Sequence, residues 1–313
     1  MHVRSIIKAS IPALLACVAM SVWSAPMQNG YGRLHRGGQF QQRLQQGSAD
    51  RGRATTLPAG AREVRNVAYG SAPDQALDVY IPHDTHAAPI VFMVHGGGWQ
   101  RGDKANDGVV QNKIDYFLPR GFILVSVDYR MLPAVGVMTE GADVATALAY
   151  VQAHAASWGG DASSIVVMGH SAGAHLVMLL TSTPAIRQAA GVAPWRATIA
   201  LDSAGYDITA LMRGPHLRLY DQVFGSDPAL WEAASPTLAL QAAPPVPVLL
   251  VCSTLRRNSC DQAAAYAARA TGFGGRVELD RVALQHRQIN VDVGLPGALT
   301  DTIADFIQAQ GIH

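Results

Sequence analysis

The sequence predicts an α/β fold, in which a mostly parallel sheet carries helices on both faces. From about residue 63 onward, strand-like apolar runs alternate with segments of helical periodicity, which is typical of such sheets. The central apolar runs are almost continuous, as expected for strands that are covered on both sides. The 313 residues are 49% hydrophobic and 15% charged, which is enough apolar material for one sizeable core.

Strands dominate the first part of this pattern. Residues 63–69 and 76–81 are predicted to form an opening pair of strands. The runs Ile90–Val94 and Gly121–Val127 are predicted to be buried strands, because apolar residues follow one another along both of them. Between these runs, residues 109–118 have apolar side chains at helical spacing and predict the first helix.

The remaining elements continue the alternation. Residues 143–154, which read DVATALAYVQAH, have the apolar spacing of a helix. Residues 164–168 form an apolar run of strand length, followed at once by a helical pattern at residues 172–180. Further strands are predicted at residues 197–201, 246–251 and 276–282, and further helices at residues 261–270 and 298–308.

One interval, Tyr206–Gln241, interrupts the alternation and is rich in proline and aromatic residues. An insertion of this length in a compact α/β unit is either a lid over the carboxyl edge of the sheet or a surface excursion. The aromatic residues favour the lid, because a solvated loop has little use for them. Tyr206 and Trp231, together with Trp99, are expected to shape a modest apolar pocket.

The N-terminal residues have the layout of a secretory signal peptide. A basic start is followed by a short apolar run and a small-residue exit, so cleavage is expected after Ser24. The run is shorter than the roughly 20 apolar residues that a membrane-spanning helix needs. The surroundings of Cys17 weakly resemble a lipoprotein processing site, so lipid attachment is the alternative. We therefore expect residues 1–24 to be a signal peptide and the protein to be periplasmic or secreted.

Residues 25–57 differ in composition from the rest of the chain. They are rich in Gln, Gly and Arg and contain few aliphatic side chains. Such a segment buries too little apolar surface to offset the entropy lost on ordering it. We therefore expect a flexible leader, followed by one domain at residues 58–313.

Removal of the signal peptide would leave two cysteines, Cys252 and Cys260. An even number of cysteines in an oxidising compartment favours a disulfide bond that closes a short loop. The alternative is a pair of free thiols.

The balance of charges argues against several partners. With 24 Lys and Arg residues against 23 Asp and Glu residues, the formal net charge is +1. Nucleic acids and anionic membranes attract clusters of positive charge, so neither is an expected partner. The His, Cys and Glu spacings do not indicate a metal site, and no G-x-G-x-x-G opens a helix, so neither a metal nor a cofactor is expected.

The motif Gly169-His170-Ser171-Ala172-Gly173 fits the pattern G-x-S-x-G and lies between a predicted strand and a predicted helix. A tight strand-to-helix turn strains the serine backbone and presents its hydroxyl above the edge of the sheet, which requires small neighbours. The alternative is a glycine-capped turn with an incidental serine. The two flanking elements favour catalysis, so Ser171 is the predicted nucleophile, with His170 at the variable position.

A second glycine-rich stretch, His95-Gly96-Gly97-Gly98-Trp99, follows another predicted strand. Consecutive glycines expose N–H groups that can complete an oxyanion hole with the amide of the residue after the nucleophile. Gly97, Gly98 and Ala172 are therefore the predicted oxyanion donors. The Lys-Ser or Lys-Thr ending of a phosphate-binding loop does not follow these glycines.

Five segments of the sequence form a combination of motifs, namely LDVYIP at 77–82, HGGGW at 95–99, VDYR at 127–130, WGGD at 158–161 and GHSAG at 169–173. Together they resemble α/β-hydrolases of the hormone-sensitive-lipase-like and feruloyl-esterase-like (BD-FAE-like) type. The resemblance covers roughly residue 64 to the C-terminus. It implies the α/β-hydrolase fold with an eight-stranded, mostly parallel sheet, and the hydrolysis of carboxylic esters.

A serine nucleophile needs a histidine base, and in this fold the chain order is serine, acid, histidine. His286 follows the last predicted strand and precedes the last predicted helix, where the family places its base. Three other histidines fit less well, since His175 lies in an apolar helical stripe, His216 in the lid and His313 at the terminus. Upstream, His95 is expected to brace the glycine loop.

The acid is less well defined by the sequence. The family usually places it after the seventh strand, but residues 252–260 contain no carboxylate, and Arg256 or Asn258 stands at the expected position. Asp202, at the end of the neighbouring strand, is the first candidate. Asp261, which opens a predicted helix, is the second, and an uncharged Asn258 is the third.

The predicted function is that of a serine hydrolase that cleaves short-chain acyl or aryl esters through an acyl-enzyme. An arylformamidase would use the same residues on an N-formyl bond. A weakened hydrolase that binds a ligand without turnover is a further alternative, motivated by the missing loop aspartate. A small-molecule ester is the expected partner, and the oligomeric state does not follow from the sequence.

Overall fold

The structure is a computed structural model that describes residues 55–313. The predicted signal peptide, Cys17 and nearly all of the predicted leader lie outside the described residues. The described chain forms one eight-stranded sheet. Its strands are Arg62–Ala68 (β1), Ala76–Ile81 (β2), Ala88–Val94 (β3), Ile123–Val127 (β4), Gly160–His170 (β5), Ala197–Leu201 (β6), Val248–Ser253 (β7) and Val277–Val282 (β8).

The strands are ordered β1-β2-β4-β3-β5-β6-β7-β8 across the sheet. Strand β2 is antiparallel to both of its neighbours, β1 and β4, and every other neighbouring pair is parallel. The predicted α/β architecture is therefore confirmed. Because parallel strands end at the same edge, the residues that follow β3, β5, β6, β7 and β8 meet at the carboxyl edge of the sheet.

The helices lie between the strands, largely where the periodicity predicts them. The helix predicted at residues 143–154 begins earlier, at Val137. Apolar spacing does not reveal this start, because the added residues include a glycine, Gly141, and the buried polar residue Glu140. The α-helices are Asp107–Phe117 (α1), Val137–His154 (α2), Ala172–Ser182 (α3), Pro184–Ala190 (α4), Ile208–Arg213 (α5), Arg218–Phe224 (α6), Pro228–Ala233 (α7), Pro236–Ala239 (α8), Ser259–Gly272 (α9), His286–Val291 (α10) and Ala298–Ala309 (α11).

The core consists of two apolar layers, one on each face of the sheet. Along β3, Phe92 points into the layer that includes buried residues of α2 and α3, while Val91 and Met93 point into the layer that includes buried residues of α1 and α11. Each fully buried side chain of this size contributes roughly 1.5–3 kcal/mol. This two-sided burial explains why the central strands are apolar along their whole length. Among the described helices, none combines the length and the apolarity that crossing a membrane requires.

The predicted lid interval folds into the four short helices α5, α6, α7 and α8 between β6 and β7. Helix α6 lies on the glycine-rich loop after β3, because its Tyr220 and Phe224 pack against Trp99 with ring centroids 6.0 Å and 5.2 Å apart. These two aromatic residues of the interval therefore pack against the loop at the carboxyl edge of the sheet.

Candidate active site

Ser171 lies at the junction of β5 and α3, with the unusual backbone angles φ 57° and ψ −115°. The two glycines of the motif make this turn possible. A Cβ atom at Gly169 would lie 2.4 Å from the carbonyl oxygen of Gly173, and one at Gly173 would lie 2.2 Å from that of Val94. Both positions thus exclude any side chain, and the turn presents the serine at the carboxyl edge of the sheet.

The imidazole of His286 lies against this serine. Its Nε2 is 2.8 Å from the Oγ of Ser171, which is hydrogen-bonding distance. His286 is the first residue of α10, and a capping box formed by Gln285 and Gln288 fixes the start of that helix. The local sequence therefore holds the base at the end of the loop that follows β8.

Asp202 is the carboxylate that the structure brings to His286. It directly follows β6, is fully buried, and places its Oδ2 2.6 Å from the Nδ1 of His286. Asp261 and Asn258, the other two candidates, are exposed at the start of α9. Neither has a contact with His286 in the part of the chain that the structure describes.

The loop after β7 supplies hydrogen-bond donors to Asp202 instead of a carboxylate. The Oδ1 of Asp202 accepts from the backbone N–H of Ser253 at 2.9 Å and from the hydroxyl of Ser259. Its Oδ2 accepts from the Nη1 of Arg256 at 2.7 Å. The predicted disulfide bond between Cys252 and Cys260 is present and closes this loop. We call residues 252–260 the acid-support loop.

These contacts explain the protonation states of the acid and the base. Burial by itself would raise the pKa of Asp202, but the bond from His286 and the charge of Arg256 hold that pKa well below its ordinary value. For His286, burial lowers the pKa and the Arg256 charge lowers it further, against the opposing effect of Asp202. At neutral pH we therefore expect an ionised Asp202 and an unprotonated His286.

The predicted oxyanion donors belong to the glycine loop beside the serine and to the residue that follows the serine. Gly97 and Gly98 adopt φ values of 133° and 66°, which favour glycine. A Cβ atom at Gly96 would lie 2.9 Å from the Cβ of Ser171, so the glycine loop runs directly beside the nucleophile. Within residues 55–313, no protein acceptor takes the N–H groups of Gly97, Gly98 or Ala172. These amides are therefore free to bind an oxygen that carries negative charge.

His95 braces the glycine loop, as expected from the sequence. Its buried ring stacks on Tyr129 with centroids 4.6 Å apart, and its Nδ1 lies 2.8 Å from the carbonyl oxygen of Gly96. The hydroxyl of Tyr129 donates to the carbonyl oxygen of His95 at 3.1 Å.

Trp99 connects the glycine loop to the lid through His175. The indole Nε1–H donates to the Nδ1 of His175 at 3.1 Å, and the Nε2–H of His175 donates to the carbonyl oxygen of Ala234, directly after α7, at 2.8 Å. Burial lowers the pKa of His175 to about 4, so the ring stays neutral and keeps both bonds. His175 is thus a packed helix residue, as expected.

The predicted pocket wall needs a correction at Tyr206. Its side chain is fully buried and packs against Tyr266 of α9, with ring centroids 6.0 Å apart, so it lines no open pocket. The reason is that the chain turns inward after β6, and the ring joins the core. Trp231 is half-buried, and its indole N–H donates to the carbonyl oxygen of Phe224.

His170 is a site residue that the sequence reasoning missed. The Nε2 of this buried ring lies 2.9 Å from the carbonyl oxygen of His286, to which it donates, and the two rings lie 4.6 Å apart. Its position next to the nucleophile was the available signal. His216, by contrast, pairs with Asp221 within the lid at 3.0 Å.

Taken together, the arrangement suits attack on an acyl carbonyl. It combines a hydroxyl, an imidazole that can accept its proton, a buried carboxylate behind the imidazole and three amides for the developing oxyanion. Within residues 55–313, no group of His, Cys, Asp and Glu side chains could hold a metal ion.

Comparison with known sequences agrees with this chemistry. Residues 77–193 match the BD-FAE family. The chain is 30% identical over 223 residues to a rice protein (Oryza sativa subsp. japonica) named "Probable isoprenylcysteine alpha-carbonyl methylesterase", with 67% of this chain and 53% of that protein covered. It is also 38% identical over 117 residues to Esterase LipC of Mycobacterium tuberculosis, and this match covers 37% of this chain and 28% of LipC. The chain thus spans about half or less of the length of these relatives.

Solved structures share the fold. Esterase B of Lactobacillus rhamnosis, described with a tributyrin phosphonate, superposes with a TM-score of 0.69 at 19% identity, covering 88% of this chain and 92% of that one. The apo form of Thermogutta terrifontis esterase 2 superposes with a TM-score of 0.63 at 25% identity, covering 81% and 96%.

Proposed function

This chain belongs to the α/β-hydrolases, and on that premise we propose that it hydrolyses carboxylic esters through an acyl-enzyme on Ser171. One observation carries the proposal. The 2.8 Å contact from Ser171 to His286 continues as a 2.6 Å contact from His286 to Asp202, directly beside the free amides of the glycine loop.

The proposed reaction has two steps. In the first step, the Oγ of Ser171 attacks the ester carbonyl while the Nε2 of His286 takes the hydroxyl proton, and the same imidazolium then protonates the departing alcohol. In the second step, His286 takes a proton from water as the water oxygen attacks the acyl carbonyl, and the imidazolium then returns this proton to the Oγ of Ser171 as the acid departs. Asp202 stabilises the imidazolium in both steps. The amides of Gly97, Gly98 and Ala172 stabilise the oxyanion, and each such donor is typically worth about 10²–10³ in turnover.

We propose small esters with a short acyl chain or an aryl group as the substrates. The relatives include proteins named methylesterase and esterase, which supports an ester over other acyl compounds. A panel of p-nitrophenyl esters of increasing chain length, together with an N-formyl anilide, would separate esterase from arylformamidase activity. The reason to consider a non-catalytic binding role was the missing loop aspartate. Because the carboxylate of Asp202 lies beside His286, this reason no longer applies.

The decisive test is the substitution Ser171→Ala. We expect the variant to fold normally and to lose hydrolysis of p-nitrophenyl acetate, because the nucleophilic oxygen is gone. A fluorophosphonate probe should label the wild-type protein and leave the variant unlabelled. Circular dichroism provides the folding control. Equal turnover by the wild type and the variant would remove Ser171 from the mechanism.

We further propose that the protein is exported after removal of residues 1–24. The layout of the N-terminal sequence and the disulfide bond in the acid-support loop support this proposal, because such bonds persist in oxidising compartments. Fractionation of cells that express the full chain, with N-terminal sequencing of the product, tests it. A cytosolic product that retains its first residues would contradict export.

A further inference from the structure

Arg256 lies against both the acid and the base of the proposed site, yet the mechanism above does not use it. The guanidinium Nη1 lies 2.7 Å from the Oδ2 of Asp202 and 3.0 Å from its carbonyl oxygen. The same nitrogen lies 2.9 Å from the Nδ1 of His286. The Arg256 side chain is only 27% exposed, so water screens this charge less than at an open surface.

The geometry makes the two nitrogens competitors. In the tautomer that can accept the serine proton at Nε2, the Nδ1 of His286 carries a hydrogen and donates it to Asp202. The Nη1 of Arg256 is also a hydrogen-bond donor and cannot accept. The two nitrogens therefore cannot form a hydrogen bond with each other in this state. Both donors therefore share the Oδ2 of Asp202, and a positive charge lies beside the ring that must become an imidazolium during catalysis.

Other ionisable groups near His286 do not cancel this charge. Asp202 favours the imidazolium, but its carboxylate is already paired with Arg256. His170 is buried, and burial lowers its pKa, so it remains neutral. The charged and ionisable groups around His286 are Asp202 after β6, Arg256 after β7, His170 on β5, Arg287 on the same helix and Lys113 on α1, which donates to the carbonyl oxygen of Asn290 on α10.

We propose that Arg256 is a positioning residue that keeps His286 unprotonated in mildly acidic solution, which extends the activity of the proposed esterase to lower pH. The inference rests on the proposed function. Arg256 holds the Asp202 carboxylate in line with the ring, and its charge opposes proton uptake by the free enzyme. The acid-support loop fixes the guanidinium in place, because the disulfide bond joins the two ends of the loop.

The pH dependence of kcat/KM tests this role. Activity requires unprotonated His286, so kcat/KM falls as the pH drops through the pKa of this group. In Arg256→Met the opposing charge is absent, and we expect the acidic limb to move toward higher pH by about one unit. Arg256→Lys, which retains the charge, should move it less. A residue with a purely structural role would lower the rate at every pH and leave the limb in place.

The neighbouring arginine provides a matched control. Arg257 lies in the same loop and is exposed. Arg257→Met should therefore leave the acidic limb unchanged. Equal shifts in the Arg256→Met and Arg257→Met variants would show a general effect of net charge and would overturn the inference.

A second measurement does not depend on turnover. In a Ser171→Ala background, NMR titration of the His286 ring gives its pKa with and without Arg256→Met. We expect a higher value without the arginine, and an unchanged value would overturn the inference. If the wild-type protein hydrolyses no ester and reacts with no fluorophosphonate, the proposed function fails, while this titration still decides the role of Arg256.

Discussion

Several residues of the site have backbone conformations that side chains rarely adopt. Ser171, Asp202 and Trp99 have φ values of 57°, 53° and 60°. Such conformations persist only where surrounding bonds determine them. Here the N–H of Ser171 donates to the carbonyl oxygen of Leu201 at 2.9 Å, and that of Asp202 donates to Val251 at 2.8 Å. The neighbouring strands thus hold the proposed nucleophile and acid in position.

The first prediction at this scale concerns the acid. Asp202→Asn should lower kcat by up to about 10⁴, because the amide can neither select the productive tautomer nor stabilise the imidazolium. The measurement is steady-state turnover of an active ester. Asp261→Asn is the matched control and should have little effect, because Asp261 is exposed. The opposite ranking of the two variants would assign the acid to Asp261.

A second prediction at this scale concerns stability and the buried carboxyl group of Glu140. Burial, assisted by the nearby charge of Asp143, raises the pKa of Glu140 to about 9 from its ordinary value of 4.5. The folded protein therefore holds a proton that the unfolded chain releases above about pH 4.5, so this group makes the free energy of unfolding fall as the pH rises toward 9. Glu140→Gln cannot titrate. The wild type therefore loses stability as the pH rises, and the variant does not. From mildly acidic to alkaline pH, the free energy of unfolding of the variant minus that of the wild type should increase by roughly 1–3 kcal/mol.

Chemical denaturation at several pH values measures this difference for Glu140→Gln. Glu232→Gln is a suitable control, since Glu232 is exposed. A wild-type and a Glu140→Gln stability curve that run parallel across the pH range would refute the buried-proton interpretation.

At the scale of elements, the acid-support loop shows how one short segment can organise a site without contributing its acid. Ser253, Arg256 and Ser259 all bond to Asp202, and all three lie between the two disulfide-bonded cysteines. A loop constrained in this way loses little further entropy when its donors are positioned.

We therefore expect the disulfide bond to affect activity as well as stability. Replacing Cys252 and Cys260 together by alanine should lower the free energy of unfolding by about 2–3 kcal/mol. It should also lower kcat, because the three donors to Asp202 become more mobile. Thermal denaturation and ester hydrolysis measure the two effects. Dithiothreitol should slow the wild-type enzyme and leave the double variant unaffected, and equal sensitivity of both proteins would disprove the link.

At the scale of the whole molecule, much of the architecture follows from the sequence. Continuous apolar runs such as Ile90–Val94 predict strands covered on both faces, and the structure places them at the centre of the sheet. The placement of Ser171 before a helix and of His286 after the last strand also follows from local patterns, and the two residues are in contact. Their catalytic roles remain predictions.

The contact of Asp202 with His286 depends on information that local patterns lack. It forms because β6 and β8 lie on either side of β7 and all three strands end at the same edge, and because Arg256 turns toward the acid instead of replacing it. The inward turn of Tyr206 and the contact of His170 with His286 depend in the same way on the packing of distant segments. Strand order and side-chain packing decide these contacts, and no single stretch of sequence encodes either.

The distance along the chain between the site residues affects the timing of biosynthesis. Ser171 precedes His286 by 115 residues and Asp202 precedes it by 84. A ribosome therefore produces the serine long before its partner, and the emerging polypeptide carries an inert hydroxyl until β8 has joined the sheet. On the proposed mechanism, a growing chain of this protein cannot hydrolyse esters, and the proposed activity arises only with the final stages of its assembly.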